Sequence, residues 1–236
     1  MDAYEKGALA YDLIQRNRGR DYRGQAAALT DLIRARHPDA RSLLDVACGT
    51  GVHLSHLQET FDVVGLDLSP SMIERARLVV PDVPIEIGDM RSFELGRRFD
   101  AITCLFSSIG YLLSVEDLRA AVANMARHLN PAGVLIVEPW IHPGGWRVDY
   151  RVAEATNEDG VAVSRVSVNG LEGNISSFDL YWTVADSDGV DQFVESHRLG
   201  LYTVEEYRDA FTSAGLKVDH DPDGLIGRGL FIGQTD

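Results

Sequence analysis

Cysteine, long apolar runs and cationic residues are all scarce in this sequence. Its two cysteines, Cys48 and Cys104, lie in apolar segments and have neither the spacing of a metal site nor a disulfide framework. No hydrophobic run approaches the length of a membrane-spanning helix. Lys and Arg number 22 against 36 Asp and Glu, a formal net charge of −14. Because phosphate binding depends on cations, this balance argues against a nucleic acid substrate.

The overall composition is that of a folded protein. A hydrophobic fraction of 45% and a charged fraction of 25% in 236 residues fit one large domain, or a core domain with an insertion. Repeats and low-complexity tracts are absent from the sequence. The first residues do not have the pattern of a signal peptide, and we therefore expect a cytoplasmic protein.

The segment 42–52 contains the most informative motif. Its apolar residues predict a short buried strand, and Gly49 and Gly51 predict a tight turn into a helix that a ligand can approach. The third glycine of the dinucleotide-binding fingerprint is missing. Asp45 precedes the turn, where a carboxylate would repel a diphosphate but attract an ammonium or sulfonium group. The alternative is a tight turn that binds nothing.

Acidic residues also follow the next two predicted strands. Asp67 ends the strand 62–67, where a carboxylate can accept hydrogen bonds from both ribose hydroxyls. Asp89 follows the strand 84–87 and can accept a hydrogen bond from an adenine amine, while Met90 can pack on the ring. A helix cap for Asp67 and an Asx turn at Asp89 are the alternatives. Leu105 ends the fourth strand, 98–105, at the same crevice.

The N-terminal part is predicted to contain two helices, 3–16 and 21–36, joined by a basic loop. The loop contains Arg16, Arg18 and Arg20, and it is either a solvated turn or a lid that contacts an anion. Tyr22 beside it can stack on a base or a sugar.

The alternation of strands and helices changes near Trp146. The turn 130–133 precedes a fifth strand, 134–138, and residues 146–201 then show a period of two, which predicts antiparallel strands near 147–155, 161–168, 174–184 and 190–201. A helix and a last strand pair follow. We therefore predict a core of 1–140 and 202–236, with 141–201 as an inserted sheet over the active site. This sheet can serve as a platform for the acceptor, as a dimer surface, or as both.

Asp45 to Gly51, Asp67 and Asp89 together resemble the motifs of class I S-adenosylmethionine (SAM) methyltransferases. Longer strings occur here together at 42–51, 88–91, 95–99, 106–110, 137–140 and 227–231. In this combination the chain resembles the nucleotide-aminosugar N-methyltransferases of actinobacterial antibiotic pathways, such as those that dimethylate the TDP-linked precursors of desosamine and mycaminose. The similarity extends from about Tyr11 to Gly233.

This resemblance implies a Rossmann-like α/β fold, with a seven-stranded sheet that binds SAM at its strand ends and a small added antiparallel sheet. It also implies a homodimer and a TDP-linked aminosugar as the acceptor. We expect no metal, because the two cysteines lack the spacing of a metal site. Combined with the motifs above, the predicted cofactor site comprises Tyr11, Asp45, Ala47, Gly49, Gly51, Asp67, Asp89, Met90 and Leu105. The predicted acceptor site comprises Tyr4, Arg20, Tyr22, Ser107, Ser108, Tyr111, Trp140 and Arg228.

Two departures from the resembled family bear on the mechanism. Ile141 follows Trp140 where the family has a second tryptophan, and Tyr111 stands where the mycaminose enzyme has a histidine. A tyrosine does not normally act as a base near neutral pH. We therefore predict catalysis by positioning, with Tyr111 shaping the amine pocket. His142 and His197 are the other candidate proton acceptors, although each is more simply explained as a surface or strand histidine.

The predicted reaction is the transfer of one or two methyl groups to the amine of a nucleotide-linked deoxyaminosugar. The runner-up is another small-molecule N- or O-methyltransferase, and a third possibility is a SAM-binding protein without catalysis. A nicotinamide oxidoreductase fits least, because of the missing glycine and the position of Asp45. The sequence leaves open which sugar carbon bears the amine.

Overall fold

The computed structural model of the protein describes residues 7–158 and 160–235. The helices are α1 (Ala8–Asn17), α2 (Tyr22–Arg36), α3 (Val52–Leu57), α4 (Pro70–Val79), α5 (Val115–Arg127) and α6 (Val204–Ser213), with a 3₁₀ helix at Ser108–Tyr111. The strands are β1 (Ser42–Val46), β2 (Asp62–Asp67), β3 (Ile85–Ile87), β4 (Phe99–Cys104), β5 (Leu129–Val137), β6 (Arg151–Glu158), β7 (Val161–Glu172), β8 (Ile175–Asp186), β9 (Gly189–Gly200), β10 (Lys217–Asp221) and β11 (Leu230–Gln234).

Seven of these strands form the larger sheet, in the order β10-β11-β5-β4-β1-β2-β3. Strands β1 to β5 pair in parallel, whereas β11 is antiparallel to both of its neighbours. This arrangement confirms the predicted Rossmann-like fold. The strand order reverses between β1 and β4, and such a reversal opens a crevice at the carboxyl ends of the strands.

The sequence of the central strands explains why both faces of this sheet are buried. Leu44 of β1 packs into one hydrophobic cluster, together with residues of α5 and α6. Its neighbour Leu43 packs into a second cluster, together with residues of α2, α3 and α4. Successive side chains of a strand point to opposite faces, so a near-continuous apolar strand requires helices on both sides.

The helices begin where capping residues occur. Ser69 accepts a hydrogen bond from the Met72 amide at the start of α4, with Pro70 at the first helical position. Thr203 and Glu206 form a reciprocal capping box at the start of α6. These caps fix the direction in which each helix leaves the sheet edge.

The four remaining strands form an antiparallel sheet in the order β6-β7-β8-β9. On its inner face, Leu180 and Trp182 form a third hydrophobic cluster with Leu13 and Ile14 of α1. Helix α1 therefore connects this smaller sheet to the rest of the molecule.

The starts of β5 and β6 are among the boundaries that differ from the sequence prediction. The predicted turn 130–133 lies inside β5, where Ala132 has φ +59° and the register with β4 shifts between Phe99 and Ala101. The turn signal therefore corresponds to an irregularity within a paired strand. The first strand of the small sheet starts at Arg151 rather than near 147. Among the described helices, none has the length and apolar content required to cross a membrane.

Candidate active site

A cavity of about 1080 Å³ lies between the carboxyl ends of the parallel strands and the inner face of the small sheet. Asp45, Asp67 and Asp89 line it from the larger sheet, and Phe178 and His197 line it from the smaller one. All the predicted site residues line this cavity except Gly51 and Tyr4, the second of which lies outside the described residues.

Asp45 is the most deeply buried acid of the cavity wall. Its side chain is only 2% exposed, and its Oδ1 accepts a 2.7 Å hydrogen bond from the Thr103 hydroxyl. Burial raises the pKa of Asp45 from 3.8 to about 7; the Thr103 hydrogen bond lowers it, and the nearby Asp67 carboxylate raises it further. A buried carboxyl group of this kind gains most from a cationic ligand.

The glycine turn after β1 presents open backbone to the cavity. Gly49 has φ +56°, and a Cβ added to it would meet no atom within 4 Å. Gly51 has a different role from the one predicted. It is the N-cap of α3 with φ +79°, and a Cβ there would lie 3.2 Å from the side chains of Ala76 and Val80. Gly51 therefore allows α3 to pack closely on α4 but does not line the cavity.

Asp67 is held rigidly at the end of β2. Its Oδ2 accepts a 2.8 Å hydrogen bond from the Gly49 amide, and its Oδ1 accepts one of 2.9 Å from the Ser69 amide. The carboxylate thus fixes the glycine turn and the start of α4 relative to each other. Asp67 therefore combines both roles considered from the sequence: it bonds the backbone at the start of α4, and it also lines the cavity.

Asp89 and Met90 line the next part of the cavity. The guanidinium group of Arg91 donates hydrogen bonds to both oxygens of Asp89 and lowers the pKa of this carboxyl group. Leu68, which the sequence reasoning missed, is 63% exposed and lines the same part of the cavity. Its position directly after Asp67 could have indicated this role. An exposed apolar side chain at a strand end can pack against the face of a ring.

Helix α1 closes the cavity on the side of the glycine turn. Tyr11 lines the cavity, and the neighbouring Asp12 accepts hydrogen bonds from Thr50, at 2.8 Å, and from Arg75, at 3.0 Å. These contacts attach α1 to the glycine turn and to α4. Since Asp12 is 8% exposed, the helix is held by a buried charged contact rather than by a surface one.

The loop after β4 forms the boundary between the two ends of the cavity. Phe106 and Ser107 both have positive φ, +57° and +65°. Contacts on both sides hold this uncommon backbone: Glu138 accepts a 2.7 Å hydrogen bond from the Phe106 amide, and the Ser107 hydroxyl donates one of 2.7 Å to the Pro139 carbonyl. Strained backbone of this kind is typical of functional sites.

Two arginines meet aromatic rings beside this loop. Arg228 donates a 2.7 Å hydrogen bond to the Ser107 hydroxyl, and its guanidinium carbon lies 4.7 Å from the centre of the Trp140 ring. Arg20 lies 4.2 Å from the centre of the Phe106 ring. Both side chains line the cavity and bring positive charge to it beside the loop that follows β4.

The three arginines of the basic N-terminal loop make different contacts. Arg16 forms an ion pair with Glu158 and does not line the cavity, whereas Arg18 lines it but binds Glu154 with two hydrogen bonds. Only part of this loop therefore fits the predicted anion lid, and Arg20 is the member that stacks on the cavity wall.

Tyr22 belongs to an aromatic group on the same side. Its ring lies parallel to that of Phe106 at 6.2 Å and edge-on to that of His53 at 5.1 Å. His53 is fixed by a 2.9 Å hydrogen bond to Gln25, and burial lowers its pKa to about 4. The group offers neutral, flat surfaces for a planar ligand.

Tyr111 and His197 form a pair that the sequence did not predict. The Tyr111 hydroxyl lies 2.8 Å from His197 Nδ1, and the imidazole is stacked on Phe178 at 4.9 Å. His197 is a strand residue as expected, yet it is 2% exposed and lines the cavity. His142 does not line it, and its Nδ1 is bonded to the Tyr202 carbonyl.

Several lining residues were not found by sequence reasoning. They lie on α1, on α3, on loops within or beside the motifs and on the small sheet, and they are Gln15, His53, Leu68, Phe106, Trp146, Arg165, Phe178 and Leu199. Only the phase of the β8 and β9 alternation could have indicated that Phe178 and Leu199 face inward.

This fold and cavity define the protein as a class I methyltransferase. The family described as "Methyltransferase domain" matches residues 43–133. The chain is 47% identical over 228 residues, 96% of both chains, to the dTDP-3-amino-3,4,6-trideoxy-alpha-D-glucopyranose N,N-dimethyltransferase of Streptomyces venezuelae. It is 43% identical to the dTDP-4-amino-2,3,4,6-tetradeoxy-D-glucose N,N-dimethyltransferase of Saccharopolyspora spinosa, over 94% of this chain and 90% of that one.

A solved structure shows the same relationship. The crystal structure of Streptomyces venezuelae DesVI superposes with a TM-score of 0.93 at 45% identity, and the match covers 98% of this chain and 99% of that one. The chain belongs to the family of N,N-dimethyltransferases that these relatives represent.

Proposed function

We propose that the protein transfers two methyl groups in succession from SAM to the amine of a dTDP-linked deoxyaminosugar. The observation that carries this proposal is the continuity of the cavity. One end has a buried carboxyl group and open glycine backbone, and the other has two arginines on aromatic rings. The relatives that act on dTDP-aminosugars match nearly the whole chain, including both ends of this cavity.

The residues at the first end fit SAM. Asp45 provides negative charge for its ammonium and sulfonium groups, and the open Cβ direction at Gly49 leaves room for its amino-acid part. Asp67 stands at the strand end that suits the ribose hydroxyls. Leu68, Met90 and the other lining residues Tyr11, Ala47, Asp89 and Leu105 would enclose the adenosine part.

The residues at the second end fit a nucleotide sugar. Arg20 and Arg228 supply guanidinium groups, whose forked N–H donors match phosphate oxygens. Tyr22 and Phe106 supply ring faces for the base. Tyr111, together with Ser107, Ser108 and Trp140, then surrounds the space left for the sugar.

The chemistry requires orientation more than activation. When bound, SAM supplies an electrophilic methyl group that needs no further activation. The chain must place a neutral amine in line with this methyl group and keep water out, and orientation of this kind can supply about 7–11 kcal/mol. The small sheet covers the cavity from the side opposite the parallel strands, which serves both purposes.

We further propose that residues 141–201 are an insertion into the core 1–140 and 202–236, and that two copies of the chain associate through its outer face. Val166, Tyr181 and Val194 are direct cross-strand neighbours there and are 45%, 48% and 54% exposed. A contiguous apolar strip of this kind is typical of interaction surfaces. A cytoplasmic location belongs to the same proposal.

The test is incubation with SAM and a panel of acceptors, followed by mass spectrometry. We expect dTDP-3-amino- or dTDP-4-amino-deoxysugars to gain one and then two methyl groups, with one S-adenosylhomocysteine (SAH) released for each. Free amines and alcohols without the nucleotide should react far more slowly. Preferential turnover of a non-nucleotide acceptor would identify another small-molecule methyltransferase. SAH binding without methylation of any acceptor would identify a non-catalytic SAM-binding protein.

A further inference from the structure

Tyr111 lines the cavity, and the hydrogen-bond partner of its hydroxyl, His197, is buried. Tyr111 lies in the 3₁₀ helix and is 37% exposed, and its hydroxyl oxygen is 2.8 Å from Nδ1 of His197. Nε2 on the far side of the same imidazole lies 3.8 Å from Oε2 of Glu195. The three side chains therefore lead from the cavity into the protein interior in the order hydroxyl, imidazole and carboxylate.

Among the described residues, only one of the two carboxylate oxygens of Glu195 accepts a hydrogen bond. Its Oε2 accepts a 2.8 Å hydrogen bond from the Trp182 indole, whereas its Oε1 has no hydrogen-bond partner among residues 7–158 and 160–235. The carboxylate is 6% exposed. Oε2 of Glu195 therefore lies where it faces Nε2 of His197 from the side opposite Tyr111.

Two described arginines near this array are engaged with other groups. Arg165 of β7 lies over the Trp182 ring and forms an ion pair with Glu154. Arg228 lies over the Trp140 ring and donates to Ser107. Phe178 of β8 covers the face of the His197 imidazole without adding charge.

The acceptor presents a problem that this array can solve. Alkyl amines have pKa values of about 8–10 and are mostly ammonium ions near neutral pH, so they have no free electron pair to attack a methyl group. A second methylation requires the same deprotonation again, because the first product is a secondary ammonium ion. Positioning alone does not remove these protons.

We propose that Tyr111 and His197 form a proton relay that deprotonates the acceptor amine before each methyl transfer, with Glu195 stabilising the charged imidazole. The proposal rests on the proposed function, since it requires an amine next to Tyr111. The ammonium N–H bond breaks as its proton moves to the Tyr111 hydroxyl oxygen, and the original hydroxyl proton moves to Nδ1 of His197. The tyrosine stays neutral and the imidazole becomes an imidazolium ion.

The freed electron pair on nitrogen then forms the N–C bond while the C–S bond breaks and its electrons stay on sulfur. The imidazolium ion returns its proton through Tyr111 to solvent water when the product leaves. Tyr111 is the group that contacts the acceptor, and His197 is a positioning residue that acts through it. A tyrosine that is too weak a base by itself can thus pass a proton to a histidine behind it.

The test measures kcat of the full-length enzyme with a dTDP-aminosugar and saturating SAM across pH, for wild type, Tyr111→Phe and His197→Asn. Near neutral pH we expect each variant to lose about 100-fold in kcat, the lower end of the contribution that general acid–base catalysis makes. At about pH 9.5 solvent deprotonates the amine, and the loss should shrink to about threefold or less. The double variant should be no slower than the slower single variant, because both residues act in one step.

The matched control is His142→Asn, which replaces a histidine that does not line the cavity. Its kcat relative to wild type should be the same at every pH. SAH binding by calorimetry reports whether each variant is folded; if His197→Asn is not, Tyr111→Phe decides the question, because that residue is partly exposed.

A loss in kcat that does not change with pH, or no loss at all, overturns the relay while leaving the proposed function intact. Absence of methylated product with wild-type enzyme overturns the proposed function and the relay together. A restored kcat at high pH in both single variants is the result that supports the relay.

Discussion

The Thr103 hydroxyl donates a 2.7 Å hydrogen bond to Oδ1 of Asp45 at the base of the cofactor end of the cavity. Both side chains are at most 2% exposed. The contact holds the carboxyl group in one orientation, toward the position of a cationic ligand. Because burial raises the pKa of Asp45 to about 7, the group changes charge in the range in which the enzyme would work.

The first prediction concerns pH and ligand binding. Below about pH 7 the free protein holds Asp45 protonated, and a cationic ligand favours its ionised form. SAH or SAM binding should therefore tighten between about pH 6 and pH 8 and release a proton near pH 6. Calorimetry in buffers of different ionisation enthalpy measures this release. Equal affinity at both pH values would contradict the prediction.

The same pKa predicts the stability of the free protein. A raised pKa in the folded state contributes stability that is present below the unfolded value of 3.8 and is lost as pH rises through about 7. Asp45→Asn remains neutral at every pH, and its stability relative to wild type should be about 1–3 kcal/mol greater near pH 8 than near pH 5. It should also bind SAM at least about tenfold more weakly. Denaturant titrations at the two pH values check the first effect.

The third prediction separates backbone strain from ligand contact at Gly49. Gly49→Ala and Gly96→Ala both place a side chain at positive φ, +56° and +65°, with no atom within 4 Å. Each should lose about 1–2 kcal/mol of stability. Only Gly49 lines the cavity, so only Gly49→Ala should weaken SAH binding, by about tenfold or more. Equal SAH affinity of the two variants would show that the turn does not approach the cofactor.

The fourth prediction concerns Arg228. Replacement by Gln removes a guanidinium group from the acceptor end, and we expect KM for a dTDP-aminosugar to rise about 10- to 100-fold with SAH affinity unchanged. Arg36→Gln is the control, because Arg36 pairs with Asp219 away from the cavity. A similar rise in KM for both variants would indicate a general loss of stability instead of a lost phosphate contact.

The fifth prediction concerns the outer face of the small sheet. Wild type should sediment as a dimer, and Tyr181→Glu should shift it toward monomer, because a charge then lies between Val166 and Val194. Leu78→Glu is the control, since Leu78 on α4 is 74% exposed. A monomeric wild type, or a Tyr181→Glu dimer as stable as wild type, would rule out this face.

Motifs and the resemblance predicted many of the residues that line the cavity, but they predicted mutual contacts only for residues that are close together along the chain. Asp45 and Gly49 belong to one strand and turn, and local geometry fixes their relation. Tyr111 and His197 are 86 positions apart, and no periodicity links a 3₁₀ helix to the fourth strand of a separate sheet. Such pairs follow from tertiary packing, which a single sequence does not reveal.

Some local sequence signals predicted a structure that tertiary contacts then changed. The turn signal at 130–133 was overridden by pairing of β5 with β4, which absorbs the extra residues as an irregularity. Gly51 matched a cofactor motif, yet its freedom of conformation is used to let α3 approach Ala76. The division into a core and an insertion, which followed from the change in periodicity alone, stays a prediction.

Helix α1 contacts both the glycine turn of the larger sheet and the inner face of the smaller sheet. Asp12 on one side is bonded to Thr50 of the glycine turn, and Leu13 on the other packs against Trp182 beneath the acceptor end. Cleavage within this helix would therefore release its contacts with the glycine turn and with the small sheet together. We expect a truncation through α1 to weaken the binding of both ligands and not of one alone.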